Sequence, residues 1–279
     1  MKTVKEVVSD ITNILNSAGV AESAANAEFI ICSLLGKSRT EILAFGGAVF
    51  PEDKQEILNQ VIKQKIAGKP LEYIFNSADF LGRKFYVDER VLIPRPETEE
   101  LIFKTQKKLK QSPKNILDLC TGSGCIGISL ALNYPAAKVT CSDISAPALE
   151  VAEQNAKTHK AKINFIESDL FNNLQGKFDL IISNPPYIKE DDIKTLSPEV
   201  KQEPCLAQIG GKEGTEIIEK IIQAAPKFLT PGGLLALEIG DKEGQKVLQF
   251  FSRDIWRDFI IERDFAGLER FVFAYKKEN

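Results

Sequence analysis

The chain has 279 residues, 43% of them hydrophobic and 27% charged, and carries a formal net charge of −3. That length suits roughly two domains of about 100–200 residues each. The acidic balance argues against a bulk binder of the phosphate backbone, which is usually basic, and no apolar run approaches the ~20 residues needed to span a bilayer. The opening segment, MKTVKEVVSDITNILN, is amphipathic and carries Glu6 and Asp10, so it is not expected to be a signal peptide.

Residues 1 to about 75 read as helices. Val4, Val7, Val8, Ile11, Ile14 and Leu15 recur at helical spacing. Residues 22–35 make a second helix that stops at Gly36. Ser38 and Glu41 have capping-box spacing ahead of Ile42, Leu43 and Phe45. Pro51 can start another helix, running through Leu58, Val61, Ile62 and Ile66 to Gly68. The spacing predicts a small all-helical domain over 1–75, whose acids slightly outnumber its bases. No chemistry follows from its own residues, and it reads as an interaction or positioning module.

Residues 79–93, DFLGRKFYVDERVLI, hold short β-like runs broken by polar residues, and a β-hairpin linker is expected over 76–94. Pro94-Arg95-Pro96-Glu97-Thr98-Glu99 then opens a helix to about Lys110. From Asn115 strands and helices alternate. The expected strands are 116–119, 138–142, 163–166, 178–183, 233–239, about 255–261 and 270–276. Alternation of this kind predicts a mostly parallel α/β sheet. The last two strands follow each other without an obvious helix, so one is expected to pair antiparallel.

Two loops carry the chemistry. In ILDLCTGSGCIGISLAL, Gly122, Gly124 and Gly127 satisfy G-x-G-x-x-G between a strand and a helix. Glycines let the backbone turn sharply and let a ligand approach it, and the helix start adds free N–H groups. Asp143 follows about twenty residues on, at the end of the second strand, where a carboxylate accepts ribose hydroxyls. The pattern admits a dinucleotide or S-adenosylmethionine (SAM). Asp118, placed before the loop to meet a methionine ammonium, favours SAM, as does the lack of a second glycine fingerprint.

The second loop is Asn184-Pro185-Pro186-Tyr187, after the fourth strand. Pro186 has no N–H and pushes Pro185 toward an extended shape. The Pro185 carbonyl and the Asn184 side-chain oxygen are then two acceptors suited to one NH₂ group, with Tyr187 placed to stack on the flat group that bears it. A planar NH₂ is a poor nucleophile, and holding both its N–H bonds aims the nitrogen at a methyl donor. No strong base is needed. That agrees with the sequence, whose single histidine, His159, sits in polar Lys157-Thr158-His159-Lys160 and is expected on the surface. The five cysteines, Cys32, Cys120, Cys125, Cys141 and Cys205, contain no C-x-x-C pair. They read as reduced, mostly buried thiols of a cytoplasmic protein with no metal site.

These motifs resemble the release factor glutamine methyltransferase family (HemK-type, PrmC). The resemblance runs through PLEYIF at 70–75, VLIPRPETEEL at 91–101, DLCTGSGCIGISLA at 118–131, Asp143, SDLF at 168–171, SNPPYI at 183–188, Glu203-Pro204, LEIG at 237–240 and Glu269-Arg270-Phe271. It implies a Rossmann-like SAM-dependent methyltransferase sheet of seven strands, the last antiparallel, over 95–279. It further implies N5-methylation of the glutamine in the Gly-Gly-Gln loop of class 1 peptide-chain release factors, gripped in part by the helical domain. By position, SAM would meet Asp118, Cys120, Thr121, Gly122, Ser123, Gly124, Asp143, Asp169, Leu170 and Asn184. The glutamine would meet Asn184, Pro185, Pro186 and Tyr187, with Asn184, Pro185 and Tyr187 catalytic. Arg95 and Glu97 would close the cofactor end or brace the linker. Cys120 stands where the family commonly has glycine, Leu170 replaces an aromatic, and Asn76 replaces a glycine.

The alternative is a methyltransferase for exocyclic adenine or guanine amines, using the same clamp on a flipped base. It needs a basic or base-reading module, and the helical domain is not basic. A third reading, a ribosome-associated binding module without activity, leaves Asp118, Gly122, Gly124, Asp143 and Asn184 without a purpose. No membrane and no direct nucleic-acid contact are expected, and no element demands a dimer.

Overall fold

A computed structural model of the chain describes residues 1–44 and 46–278; Phe45, an expected apolar position of the third helix, lies outside them. The chain divides into two compact units, residues 1–76 with 197–202, and residues 77–196 with 203–279.

The first unit holds α1 (Val4–Ser17), α2 (Ser23–Leu35), α3 (Arg39–Ala44), α4 (Gln55–Ile66) and α5 (Leu71–Ile74). Thr3 and Glu6 form a reciprocal capping box at α1. Ser38 and Glu41 form the expected one at α3, with Ser38 N–H donating to the carboxylate at 2.8 Å. Val4, Val7, Ile11 and Leu15 meet Ala27, Ile30 and Ile31 of α2 and Leu58, Val61 and Ile62 of α4 in one core. Lys65 of α4 is only 3% exposed, and its ammonium reaches Glu199 at 2.6 Å. This pair ties residues 197–202 into the unit, because an unpaired buried charge is strongly destabilising.

The second unit opens with the hairpin β1 (Ala78–Phe80) and β2 (Arg83–Phe85). The hairpin is shorter than the 76–94 expected. Phe80 and Phe85 meet edge to face, centroids 5.9 Å apart. There follow α6 (Pro96–Lys108), β3 (Asn115–Leu119), α7 (Cys125–Asn133), β4 (Lys138–Asp143), α8 (Ala146–His159), β5 (Ile163–Glu167), β6 (Phe178–Ser183), β7 (Ile188–Lys189), β8 (Ile209–Gly211), α9 (Glu216–Ala224), β9 (Leu229–Glu238), α10 (Gly244–Leu248), β10 (Trp256–Arg263) and β11 (Glu269–Lys276).

Seven strands form one sheet in the order β10-β11-β9-β6-β3-β4-β5. β3 runs parallel to β4 and β6, β4 to β5, and β6 to β9, whereas β11 is antiparallel to both β9 and β10. The expected Rossmann-like sheet with an antiparallel last strand is therefore present. Both its faces are covered. Leu117, Ile181, Leu235 and Leu237 lie in one apolar cluster, and Ile116, Leu180, Ile182, Leu234 and Ala236 in another. Alternate residues thus face opposite cores, which is why these strands read as continuous apolar runs.

Three features depart from the expectations. β9 starts at Leu229, because a register shift between Phe178 and Leu180 lets the chain pair through Pro231 and two glycines. A two-stranded parallel pair, β7 with β8, follows the Asn184 loop. His159 is half-buried rather than free on the surface, its ring 4.7 Å from that of Phe85 and its Nε2–H donating to the Lys84 carbonyl at 2.9 Å. Among the described residues no helix is long and apolar enough to cross a membrane.

Candidate active site

The register decides which residues meet. Leu119 pairs with Ser142 and with Ser183, and Ser183 pairs with Leu237. Cys120, Asp143, Asn184 and Glu238 therefore emerge together at the carboxyl ends of four adjacent strands, where open α/β sheets bind ligands. A cleft opens there, lined by Cys120, Thr121, Gly122, Ser123, Asp143, Asn184 and Pro186, and walled by Arg90, Arg95, Thr98, Pro204, Leu206 and Ala207 among others. A wider depression of about 1260 Å³ lies at the other end of β3, β4 and β6, beside Asn115, Lys138 and Phe178, far from these groups.

Within the glycine loop the backbone is left-handed at Gly122 (φ 54°), Gly124 (φ 81°) and also Cys120 (φ 60°). An L-residue in that region costs about 1–2 kcal/mol, a strain the glycine usual at position 120 would avoid. Burial, with Asp143 next, pushes the Cys120 thiol far up, so it stays protonated and is no nucleophile. Asp143 faces the cleft. Its Oδ2 accepts from Gly122 N–H at 2.9 Å and its Oδ1 from Ser145 N–H at 3.0 Å. Each oxygen keeps a further lone pair, the pair of acceptors that a ribose diol requires for its two hydroxyl donors. Burial raises its pKa, and the backbone N–H groups of Ser145, Gly122 and Ile144 oppose that rise.

Asp118 is fully buried and is not among the residues lining the cleft. Its Oδ2 accepts from Thr121 Oγ1, from Gly127 N–H at 2.9 Å and weakly from Cys141, so it braces the loop from behind. Its Oδ1 has no partner in the structure. One acceptor thus remains to meet a cation, which fits the ammonium of SAM. Burial pushes the Asp118 pKa up to about 7. A carboxyl raised in the folded state stabilises fully below its unfolded value near 3.8, and that contribution is lost as pH rises through about 7. Ligand-free protein is therefore expected to lose stability between about pH 4 and about pH 7, and Asp118→Asn to flatten that slope. Thermal denaturation of both proteins over this range checks it; parallel curves would contradict the assignment.

Asn184 lies at the mouth of the cleft beside Pro186. Its Nδ2 donates to Thr98 Oγ1 at 3.1 Å, and Thr98 Oγ1 donates to Glu238 Oε2 at 2.7 Å. The oxygen end of the Asn184 amide is thus the end left for a ligand. Pro185 is buried and does not line the cleft. Tyr187, expected to stack on a substrate, is half-buried and also off the cleft wall. It packs against the core, and its hydroxyl donates to Glu238 Oε1 at 3.2 Å.

Asp169 and Leu170 line a separate depression with Asn172 and Lys220, because a turn closed by Ser168 Oγ donating to the Leu170 carbonyl directs them there. They remain close enough for the Asp169 charge to act on Cys120. Gly124 starts α7 but is not on the cleft wall. Arg95 does line it, and its Nη2 donates to both oxygens of buried Glu203 at 2.7 and 2.6 Å. That pair holds the segment running on to Pro204, Leu206 and Ala207. Glu97 does not reach the cleft. Thr98 and Glu238 were not anticipated. One signal was available: an acid ending the apolar run LLALE, beside the end of β6.

Residues 98–201 match the Methyltransferase small domain family, and residues 6–75 match the PrmC N-terminal domain family. A release factor glutamine methyltransferase of Nitratidesulfovibrio vulgaris is 36% identical over 93% of this chain and 90% of its own length. A ribosomal protein uL3 glutamine methyltransferase of Francisella tularensis is 42% identical over 71% of this chain and 65% of its own. Among solved structures, a methyltransferase from Pyrococcus furiosus superposes with a TM-score of 0.54 at 19% identity, over 80% of this chain and 99% of that one, which speaks for the fold alone. With full-length similarity of this order, and both domain families matched in sequence, the chain belongs to the release factor glutamine methyltransferase family.

Proposed function

We propose that the chain transfers the methyl group of SAM to the side-chain amide nitrogen of the glutamine in the Gly-Gly-Gln loop of class 1 peptide-chain release factors, in the cytoplasm. The observation that carries this is Asn184, which lines the cleft with its amide nitrogen already committed to Thr98, so that its oxygen is the end left for a ligand, next to a proline that has no N–H. SAM supplies the methyl group on a sulfonium that leaves without acid assistance. Asp143 would hold the ribose and the Cys120–Gly124 loop the amino-acid end, with the buried Asp118 behind that loop offering the ammonium an opposite charge.

Asn184 Oδ1 accepts one N–H bond of the substrate amide and aims its nitrogen; the Pro185 carbonyl, off the cleft wall, would need the loop to shift before it took the other. Orientation of this kind is worth roughly 7–11 kcal/mol in well-aligned reactions. The nitrogen sheds a proton to water as it gains positive charge, so the absence of a histidine at the site costs nothing. The helical unit, matched over 6–75, grips the protein substrate.

Labelled SAM is incubated with the chain and, separately, with a release factor, its Gln→Ala loop variant, ribosomal protein uL3, and RNA or DNA. Label is expected on the parent factor. Equal label on the Gln→Ala variant, or label on nucleic acid, would sink this function. Label on uL3 alone would keep the glutamine chemistry and change the substrate.

A further inference from the structure

A clamp for an NH₂ group works only if Asn184 presents its oxygen. Nothing in asparagine itself ensures this, since the two ends of the amide differ little in shape and are told apart by their hydrogen bonds. Here the bonds are arranged in series. An ionised carboxylate only accepts, so the Thr98 hydroxyl donates to Glu238 Oε2 at 2.7 Å. Thr98 Oγ1 then has only lone pairs to offer Asn184, 3.1 Å away. An amide NH₂ satisfies it, whereas a reversed amide would set oxygen against oxygen. The other Glu238 oxygen accepts from Tyr187 at 3.2 Å.

We propose that Glu238 and Thr98 are positioning residues: a carboxylate–hydroxyl relay that locks the Asn184 amide with its oxygen outward and pins Tyr187 from the same anchor. The relay rests on the function proposed above, and it assigns the two residues a part in orienting the acceptor rather than in touching substrate. Three elements converge on it. Thr98 lies in the first turn of α6, Asn184 directly follows β6, and Glu238 ends β9. Thr98 is 2% exposed and Glu238 1%, so water does not substitute for either link.

The same arrangement makes the lock sensitive to acid. Burial pushes Glu238 up to about 7, opposed by the Thr98 and Tyr187 hydrogen bonds and by Arg270, and reinforced by Glu97. Once protonated, Glu238 can donate to Thr98. The hydroxyl is then free to donate toward position 184, which favours the reversed amide with NH₂ outward.

The test uses the full chain, SAM and a release factor, with steady-state kinetics. Thr98→Val is expected to lower kcat by about ten- to hundredfold while the KM for SAM stays within about threefold. Thr98→Ser, which restores the hydroxyl, should recover most of the loss. Asn184→Asp keeps an acceptor but offers Thr98 no donor, and should fail as Asn184→Ala does. Wild-type kcat should fall as pH drops through about 7, and Glu238→Gln should remove that limb.

Full kcat in Thr98→Val and Asn184→Asp would overturn the relay. A second readout needs no substrate: the Asn184 side-chain NH₂ signal in ¹⁵N-labelled protein, identified by its loss in Asn184→Asp. It should shift in Thr98→Val and titrate in wild type but not in Glu238→Gln; an Asn184 signal indifferent to both changes overturns the relay. Failure of wild type to methylate any glutamine would remove the proposed function instead, and this signal would still decide the relay.

Discussion

Replacing Asn184 by alanine is expected to lower turnover by about 10²–10³-fold, the range seen when one preorganised polar group is removed from a reacting centre, while SAM affinity changes by less than about tenfold. The asymmetry follows from where the contacts lie. The loop from Cys120 to Gly124 and Asp143 stand on β3 and β4, and Asp143 is held by Gly122 and Ser145 with no help from β6. Asn184 is needed for the other reactant. Its loss leaves one substrate N–H unpaired in a closed cleft, about 1–3 kcal/mol, and frees the amide to rotate, which forfeits part of the orientation term. Together these exceed the roughly 1.4 kcal/mol that corresponds to a tenfold change in rate. Single-turnover methylation with labelled SAM, alongside calorimetric titration of SAM, separates the two effects. Turnover unchanged in the alanine variant would refute the part given to Asn184.

How much of this was legible in the sequence depends on how local each signal is. Strand order and the glycine loop were, because alternating cores leave apolar runs such as Phe178–Ser183 and because G-x-G-x-x-G is contiguous. The anchor beneath Asn184 was not. Thr98 bonds Glu238 across 140 positions and Asn184 across 86, and the register of β6 against β9 that brings Asn184 beside Glu238 leaves no trace in either segment alone. Tyr187 has a partner hidden in the same way: an aromatic after two prolines reads as a stacking surface, and the carboxylate that accepts from its hydroxyl lies 51 positions away. The β7–β8 pair escaped because a two-residue strand has no period to detect. The polar neighbours of His159 suggest a surface site, yet its partners, Lys84 and Phe85, come from the hairpin about 75 positions away.

That small β7–β8 pair leads to the second large effect. Gly210→Ala is expected to cut turnover by about 10²-fold and to leave SAM affinity within a few-fold. A Cβ at position 210 would lie 2.1 Å from the Gly214 carbonyl oxygen and 2.7 Å from that of Pro186. Both neighbours are backbone, so no rotamer relieves the overlap. The φ of Gly210 is not in the left-handed region, so crowding alone is at issue. Overpacking costs typically about 1–3 kcal/mol, and here the segment that gives way, the loop between β6 and β7, carries Pro186 at the cleft and Asn184 two residues before it. A displacement of about 1 Å in a positioned group is worth about 10²-fold in rate. Gly176→Ala provides the contrast. That glycine has φ 89° with open space around it, and it borders the depression at the far end of the sheet. Alanine there should lower the melting temperature through backbone strain and leave kcat alone. Melting curves and kcat for the two variants decide the matter: if Gly210→Ala lost stability without losing turnover, Pro186 would not be held in register by the glycine behind it.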